Sequence, residues 1–177
     1  MNRAFPVIGS LVISFALVGC SRTSPSTANV APSSPSPPPG ISSSADIVKA
    51  QSTAASIPAG GSVNATVTLS ISSGFHVNAN PATFSYLIPT QVTTGTVPGI
   101  TVAKPTYPVA VKRKFQFANK PLAVYEGDAQ VRLPLRADKD AAKGARTLPV
   151  YVRVQACDHE QCFPPATLTT TMALEVK

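Results

Sequence analysis

The sequence predicts an all-β domain, an immunoglobulin-like β-sandwich carried behind a disordered N-terminal tether. Three observations predict it. Segments with period-two alternation of apolar and polar residues recur from Val63 to the C-terminus, Gly, Pro and Asn turns separate them, and helical periodicity is poor throughout. The best helical candidate, Asp138 to Lys143, reads as a turn between strands. The abundance of proline, 18 in 177 residues, suits edge strands and loops rather than helices.

The chain opens with an export signal over residues 1–19. Met1-Asn2-Arg3 is a short basic start, Ala4 to Val18 is apolar apart from Gly9, Ser10 and Ser14, and Leu17-Val18-Gly19 brings a small residue directly before Cys20. The apolar run is short for a transmembrane helix, which needs about 20 residues. A cysteine placed directly after the cleavage point resembles the bacterial lipobox, so Cys20 is the expected lipidation site. Each buried acyl methylene would contribute about 0.8 kcal/mol to membrane anchoring. The expected location is therefore the bacterial cell envelope, lipid-anchored and facing the periplasm. Ser21 in place of Asp leans the sorting towards the outer membrane, by resemblance to Gram-negative rules.

Residues 20–45 form the tether, dominated by Ser, Pro, Thr and Ala, with Pro35-Ser36-Pro37-Pro38-Pro39-Gly40 its stiffest part. Such a composition buries too little apolar surface to offset its ordering entropy. Residues 46–177 then have the length of one ordinary domain. Within it, Val63 to Ile71 places Val63, Ala65, Val67, Leu69 and Ile71 on one face of a strand. Val131 to Leu135 and Val150 to Val154 alternate in the same way, and Ala166 to Val176 ends with Met172, Leu174 and Val176 on one side. There is no tryptophan, and Cys157 and Cys162 are too close in sequence to bridge two sheets as an immunoglobulin disulfide does.

That cysteine pair, in Cys157-Asp158-His159-Glu160-Gln161-Cys162-Phe163-Pro164-Pro165, is the chemically informative feature. Two cysteines so near one another in an exported protein can close a small ring and reopen it. As a staple the ring is poor: chain entropy gives such a short loop only ~2 kcal/mol, against about 4.7 for a loop of a hundred residues. Short bridges in loops between strands are more often strained and exchangeable. His159, if protonated, favours a thiolate, while Asp158 and Glu160 oppose it. Pro164-Pro165 stiffens the chain leaving Cys162. The alternatives are a disulfide that merely stiffens a turn and a metal set of Cys157, His159, Cys162 and His76. The metal set has no standard zinc spacing, though copper would tolerate it. His76, between Phe75 and Val77, reads first as a structural histidine in a turn.

Other chemistries find little support. Fifteen basic against eight acidic residues give a formal charge of +7, falling to about +6 when the single Arg3 leaves with the signal. The cluster Lys112-Arg113-Lys114 has no interleaved stacking aromatics, so nucleic acid is excluded as a partner and a solvated or steering basic face is preferred. No nucleophile–base–acid set and no Gly-rich phosphate loop points to a hydrolase or nucleotide enzyme, and no cofactor is called for.

The stretch Ala156-Cys157 through Cys162-Phe163-Pro164-Pro165, after the strand Val150 to Gln155, resembles the N-terminal periplasmic domain of the thiol:disulfide interchange protein DsbD. Gly74-Phe75-His76-Val77-Asn78-Ala79-Asn80-Pro81, Leu87-Ile88-Pro89-Thr90, Lys114-Phe115-Gln116-Phe117 and Pro121 to Gly127 agree with it in order. The resemblance covers about residues 46 to 177. It implies an immunoglobulin-like domain that passes reducing equivalents by thiol–disulfide exchange, a protein-disulfide reductase component. Cys162 would form the mixed disulfide and Cys157 would resolve it. A cap loop would shield the pair near Val124, Tyr125 and Glu126. The implied partners are a thioredoxin-like or membrane electron-transfer protein and oxidised exported proteins, with the membrane reached through the N-terminal lipid. The competing function is a non-catalytic envelope lipoprotein whose sandwich binds another protein.

Overall fold

The computed structural model describes residues 40–177. The expected signal peptide, the expected lipidation site Cys20 and the expected tether as far as residue 39 lie outside the described residues. From residue 40 on the chain is nearly all β, with twelve strands: β1 Val48–Ser52, β2 Ala55–Ile57, β3 Ser62–Ile71, β4 His76–Asn78, β5 Gln91–Thr94, β6 Ile100–Val102, β7 Val111–Arg113, β8 Leu122–Tyr125, β9 Asp128–Ala137, β10 Gly144–Val154, β11 Ala156–Cys157 and β12 Ala166–Val176. They form three four-stranded sheets in the orders β1-β3-β9-β6, β2-β12-β10-β5 and β11-β4-β8-β7.

The first two sheets make the sandwich. In β3 and β9 alternate residues are buried, among them Val67, Leu69, Val131, Leu133 and Leu135. In β10 and β12 the same alternation buries Leu148, Val150, Val152, Met172, Leu174 and Val176. These side chains from both sheets meet in one core, which is how two half-polar sheets satisfy their apolar faces. The expected immunoglobulin-like sandwich is the observed architecture, and Asp138 to Lys143 is, as expected, the turn between β9 and β10.

The third sheet positions the site. After β3 the chain turns at Ser72–Phe75, closed by Phe75 N–H donating to Ser72 O at 3.1 Å. Its third residue, Gly74, has φ 86°, a conformation that a side chain opposes. The turn delivers β4, whose three residues are all buried. Polar bonds brace that strand from beneath. Thr90 Oγ1 donates to Asn78 O at 2.7 Å, Asn78 Nδ2 to Ile88 O at 3.1 Å, and Asn80 Nδ2 to Thr90 O at 2.8 Å. The Tyr125 hydroxyl accepts from Asn80 N–H at 3.1 Å.

Residues 42–45, counted above with the tether, are built into the fold. Ser43 caps a 3-10 turn over Ser44–Asp46, and its hydroxyl and the Asp46 carboxylate form a capping box. Ser44 is fully buried. Its N–H and Oγ both donate to Pro164 O, at 2.9 and 2.8 Å, and its Oγ accepts from Ala156 N–H at 2.8 Å. A serine here reads as tether by composition, yet it satisfies buried backbone groups on both sides of the cysteine pair. Ser44→Ala leaves the buried Ala156 N–H without that acceptor and should destabilise the domain by about 1–3 kcal/mol, the usual cost of an orphaned buried donor. Urea denaturation of both proteins reads the difference directly; coincident curves would show that the hydroxyl contributes nothing.

Candidate functional site

Cys157 and Cys162 form a disulfide, with S–S 1.99 Å and Cα–Cα 3.9 Å. The two residues face each other across a tight hairpin. Phe163 N–H donates to Ala156 O at 2.8 Å on one side of the pair, and Asp158 N–H donates to Gln161 O at 2.9 Å on the other. Bonds that flank a facing pair in this way make it the close, non-hydrogen-bonded type of antiparallel ladder, which is what lets so short a ring close. Asp158 holds the tip: its Oδ1 accepts from Glu160 N–H and Gln161 N–H, both at 2.8 Å, an Asx-type turn. That carboxylate is thereby engaged by the backbone. Beyond Cys162, Phe163 is buried and meets Phe75 edge-on at 5.7 Å between ring centres. The chain leaving the pair is therefore pinned by an aromatic as well as stiffened by Pro164-Pro165.

The two sulfurs occupy unequal places. Cys157 is the second residue of β11 and only 1% exposed, whereas Cys162 lies on the outer arm and is exposed. In the ladder with β4, Cys157 is directly opposite His76 and Ala156 opposite Val77. Opposed residues in an antiparallel pair project to the same face, so His76 and Cys157 share one side of the third sheet.

His76 is 3% exposed, and its Nε2 is buried without a hydrogen-bond partner. Its ring stacks on Phe115 at 4.2 Å, Phe115 stacks in turn on Phe117 at 5.3 Å, and His159 from the hairpin tip sits 6.0 Å from the Phe115 ring. Burial pushes the His76 pKa down to about 4, with His159 adding to the effect and Glu126 and Asp158 opposing it. A cavity of about 560 Å³ lies alongside, bounded among others by Gly74, His76, Arg113, Phe115, Glu126 and His159. Arg113 Nε and Nη2 donate to both Glu126 carboxylate oxygens at 2.8–3.1 Å. This hydrogen-bonded pairing holds the Glu126 carboxyl below its ordinary range and raises Arg113.

Resemblance assigns the cap to Val124, Tyr125 and Glu126. Val124 and Tyr125 are strand residues in β8, hydrogen-bonded to β4 and buried, so neither belongs to a loop; Glu126 directly follows the strand. The segment that does lie over the site is the β7–β8 connection, residues 114–121, through Phe115. A small second cluster of Phe115, Ala118, Leu122 and Val124 holds its base. Phe117, half-exposed, is the outer face of this aromatic stack. Lys114-Phe115-Gln116-Phe117 carries a signal for this in its two aromatics two residues apart in a polar, basic setting, whereas Leu122 to Tyr125 is apolar throughout. His76 reads as structural in the sequence, because its pairing with Cys157 is a long-range contact that no local pattern announces.

A family model described as "Thiol:disulfide interchange protein DsbD, N-terminal" matches residues 44–174. No curated protein sequence matches the chain. Among solved structures, the reduced N-terminal domain of DsbD from Neisseria meningitidis aligns with 16% identity and a TM-score of 0.44, over 63% of this chain and 78% of that one. The N-terminal periplasmic domain of ScsB from Proteus mirabilis aligns with 10% identity and a TM-score of 0.46, over 72% of this chain and 45% of the ScsB chain. A type I cohesin from Pseudobacteroides cellulosolvens aligns at 7% identity with a TM-score of 0.43, over 74% and 92% of the two chains.

Proposed function

This chain belongs to the family of the N-terminal domain of the thiol:disulfide interchange protein DsbD, and on that premise we propose that Cys157 and Cys162 relay reducing equivalents to oxidised exported proteins in the periplasm. The electrons come from a thioredoxin-like or membrane electron-transfer protein, and the domain is held at the envelope by a lipid on Cys20. The observation that carries this reading is the unequal placement of the sulfurs, Cys162 exposed and Cys157 buried beside it. A bridge meant only to stiffen a turn needs no such asymmetry. An exchange centre does, because one sulfur meets the partner and the other waits to resolve.

In the forward direction the Cys162 thiolate attacks one sulfur of a partner disulfide, giving a mixed disulfide and one partner thiolate. Cys157 then attacks Cys162 Sγ, re-forming the intramolecular bond and releasing the second partner sulfur. The hairpin keeps the two sulfurs opposed throughout, so resolution is an intramolecular step between groups already in place. The segment 114–121, with Phe115 packed on His76, covers the inner side and must give way to a docking partner; it takes the cap role that resemblance assigned to Val124, Tyr125 and Glu126. The basic residues Lys112, beside it, and Lys114, within it, steer acidic partners.

The deciding measurement is the reduction potential of the pair, by thiol trapping across a series of redox buffers. A value between about −180 and −270 mV places it among exchanging proteins. One below about −300 mV is that of a structural bridge and would overturn the relay in favour of a protein-binding sandwich.

A further inference from the structure

Building on the exchange reading above, we propose that His76 is the base that takes the proton of the Cys157 thiol when Cys157 resolves the mixed disulfide. Three features carry it. His76 is directly opposite Cys157 in the β4–β11 ladder, so the imidazole and the thiol share one face of the sheet. Its Nε2 is buried and unpartnered while the sulfurs are joined, and a buried polar atom is ordinarily hydrogen-bonded. The reduced state supplies what the disulfide state lacks, an S–H donor at the opposing position. Finally, Cys157 is 1% exposed. A thiol buried among apolar groups ionises reluctantly, and water has little access to remove its proton.

The groups facing the imidazole fit the role. Phe115 covers one face of the ring, and Glu126, Arg113 and His159 stand around the adjoining cavity, with Asp158 at the base of the hairpin tip. Arg113 is paired with Glu126, and although the Glu126 carboxylate favours a charge on His76, burial outweighs it. Burial keeps the imidazole neutral, and thus able to accept, throughout the neutral pH range. The step that charges it creates a thiolate alongside, which offsets the cost of a buried cation.

The step balances without any further reagent. The Cys157 S–H proton passes to His76 Nε2, the thiolate attacks Cys162 Sγ, and the Cys157–Cys162 bond forms as the Cys162–partner bond breaks. The partner sulfur leaves with the electron pair and is protonated by the imidazolium or by water. Two cysteines of this chain are oxidised to a disulfide, and the partner disulfide is reduced to two thiols.

The test uses the reduced full chain carrying Cys20→Ser, mixed with an aryl disulfide, 5,5′-dithiobis(2-nitrobenzoate), in stopped flow. The first coloured thiolate reports attack by Cys162 and the second reports resolution by Cys157. In His76→Gln, which keeps an acceptor but no useful base, the second phase should slow about 100-fold relative to the first, the scale of general base catalysis. Its rate should also rise about tenfold per pH unit where the histidine protein is flat, a change that a merely structural side chain would not produce. Equal second phases in the two proteins overturn the base. A histidine-containing chain that releases the first thiolate and never the second overturns the exchange reading, and the base with it. Independently of any substitution at His76, the ¹⁵N resonance of its Nε2 should move on reduction of the disulfide, and an unmoved resonance overturns the proposal.

Discussion

Cys157→Ala should accumulate a stable mixed disulfide with an oxidised partner, and Cys162→Ala should form none. The expectation is close to all-or-none because the two sulfurs differ in access. With Cys157 removed, the exposed Cys162 still reaches the partner, but nothing in the chain can then attack it from behind. With Cys162 removed, the remaining thiol belongs to a residue that is buried in the disulfide form and lies opposite a buried histidine. A partner disulfide cannot approach it in the near-linear sulfur alignment that exchange needs. Non-reducing electrophoresis and intact mass of the two variants, each carrying Cys20→Ser, reduced and incubated with an oxidised exported protein, give the outcome. Equal trapping by both variants would overturn the assignment of roles.

Acid should destabilise the domain in a window set by His76. Its folded-state pKa lies at about 4, below the ordinary 6.5, so the unfolded chain binds the proton first. The contribution is fully present above pH 6.5, declines as pH falls, and is exhausted below about 4. Burying the neutral ring accounts for on the order of 2–3 kcal/mol across that window. Glu126, whose folded pKa is also lowered, loses its contribution at more acid pH, as its exposed pair with Arg113 is protonated. The two windows are therefore separable. Urea denaturation from pH 7 to pH 4 should show the loss in the natural chain and a flatter profile in His76→Phe. An equally steep profile in that variant would assign the loss elsewhere.

The long strands were legible because each holds enough residues for period two to declare itself. Val63 to Ile71 and Ala166 to Val176 coincide almost residue for residue with β3 and β12. The short strands β4, β7 and β8 carry little more than one full alternation, and β11 none, so they are defined only by their neighbours. This is why the site was half legible. The cysteines announced themselves by spacing, but the sheet that holds them is built from just these short pieces. Resemblance then placed a cap on Val124 and Tyr125, whose burial in β8 follows from pairing with β4 and β7. The fastening of residues 42–45 is hard to read in the sequence for a related reason. Ile41-Ser42-Ser43-Ser44 reads as polar tether, and the Ser43–Asp46 spacing that closes a capping box is a short signal easily lost in serine-rich sequence.

The bond between Ser44 and Pro164 also gives the domain a direction of loading. The chain enters the fold at the exit of the redox hairpin, fastened to Pro164 and Ala156 on either side of the two cysteines. Tension applied from the N-terminal side is therefore delivered to that hairpin first, and only afterwards to the sandwich. Behind it, β1 follows at Val48 and is held to β3 along its whole length, in antiparallel register from Val48–Ile71 to Ser52–Val67. The Ser44 fastening, by contrast, yields bond by bond. A pulling force would loosen the grip on the cysteine hairpin well before it unfolded the domain.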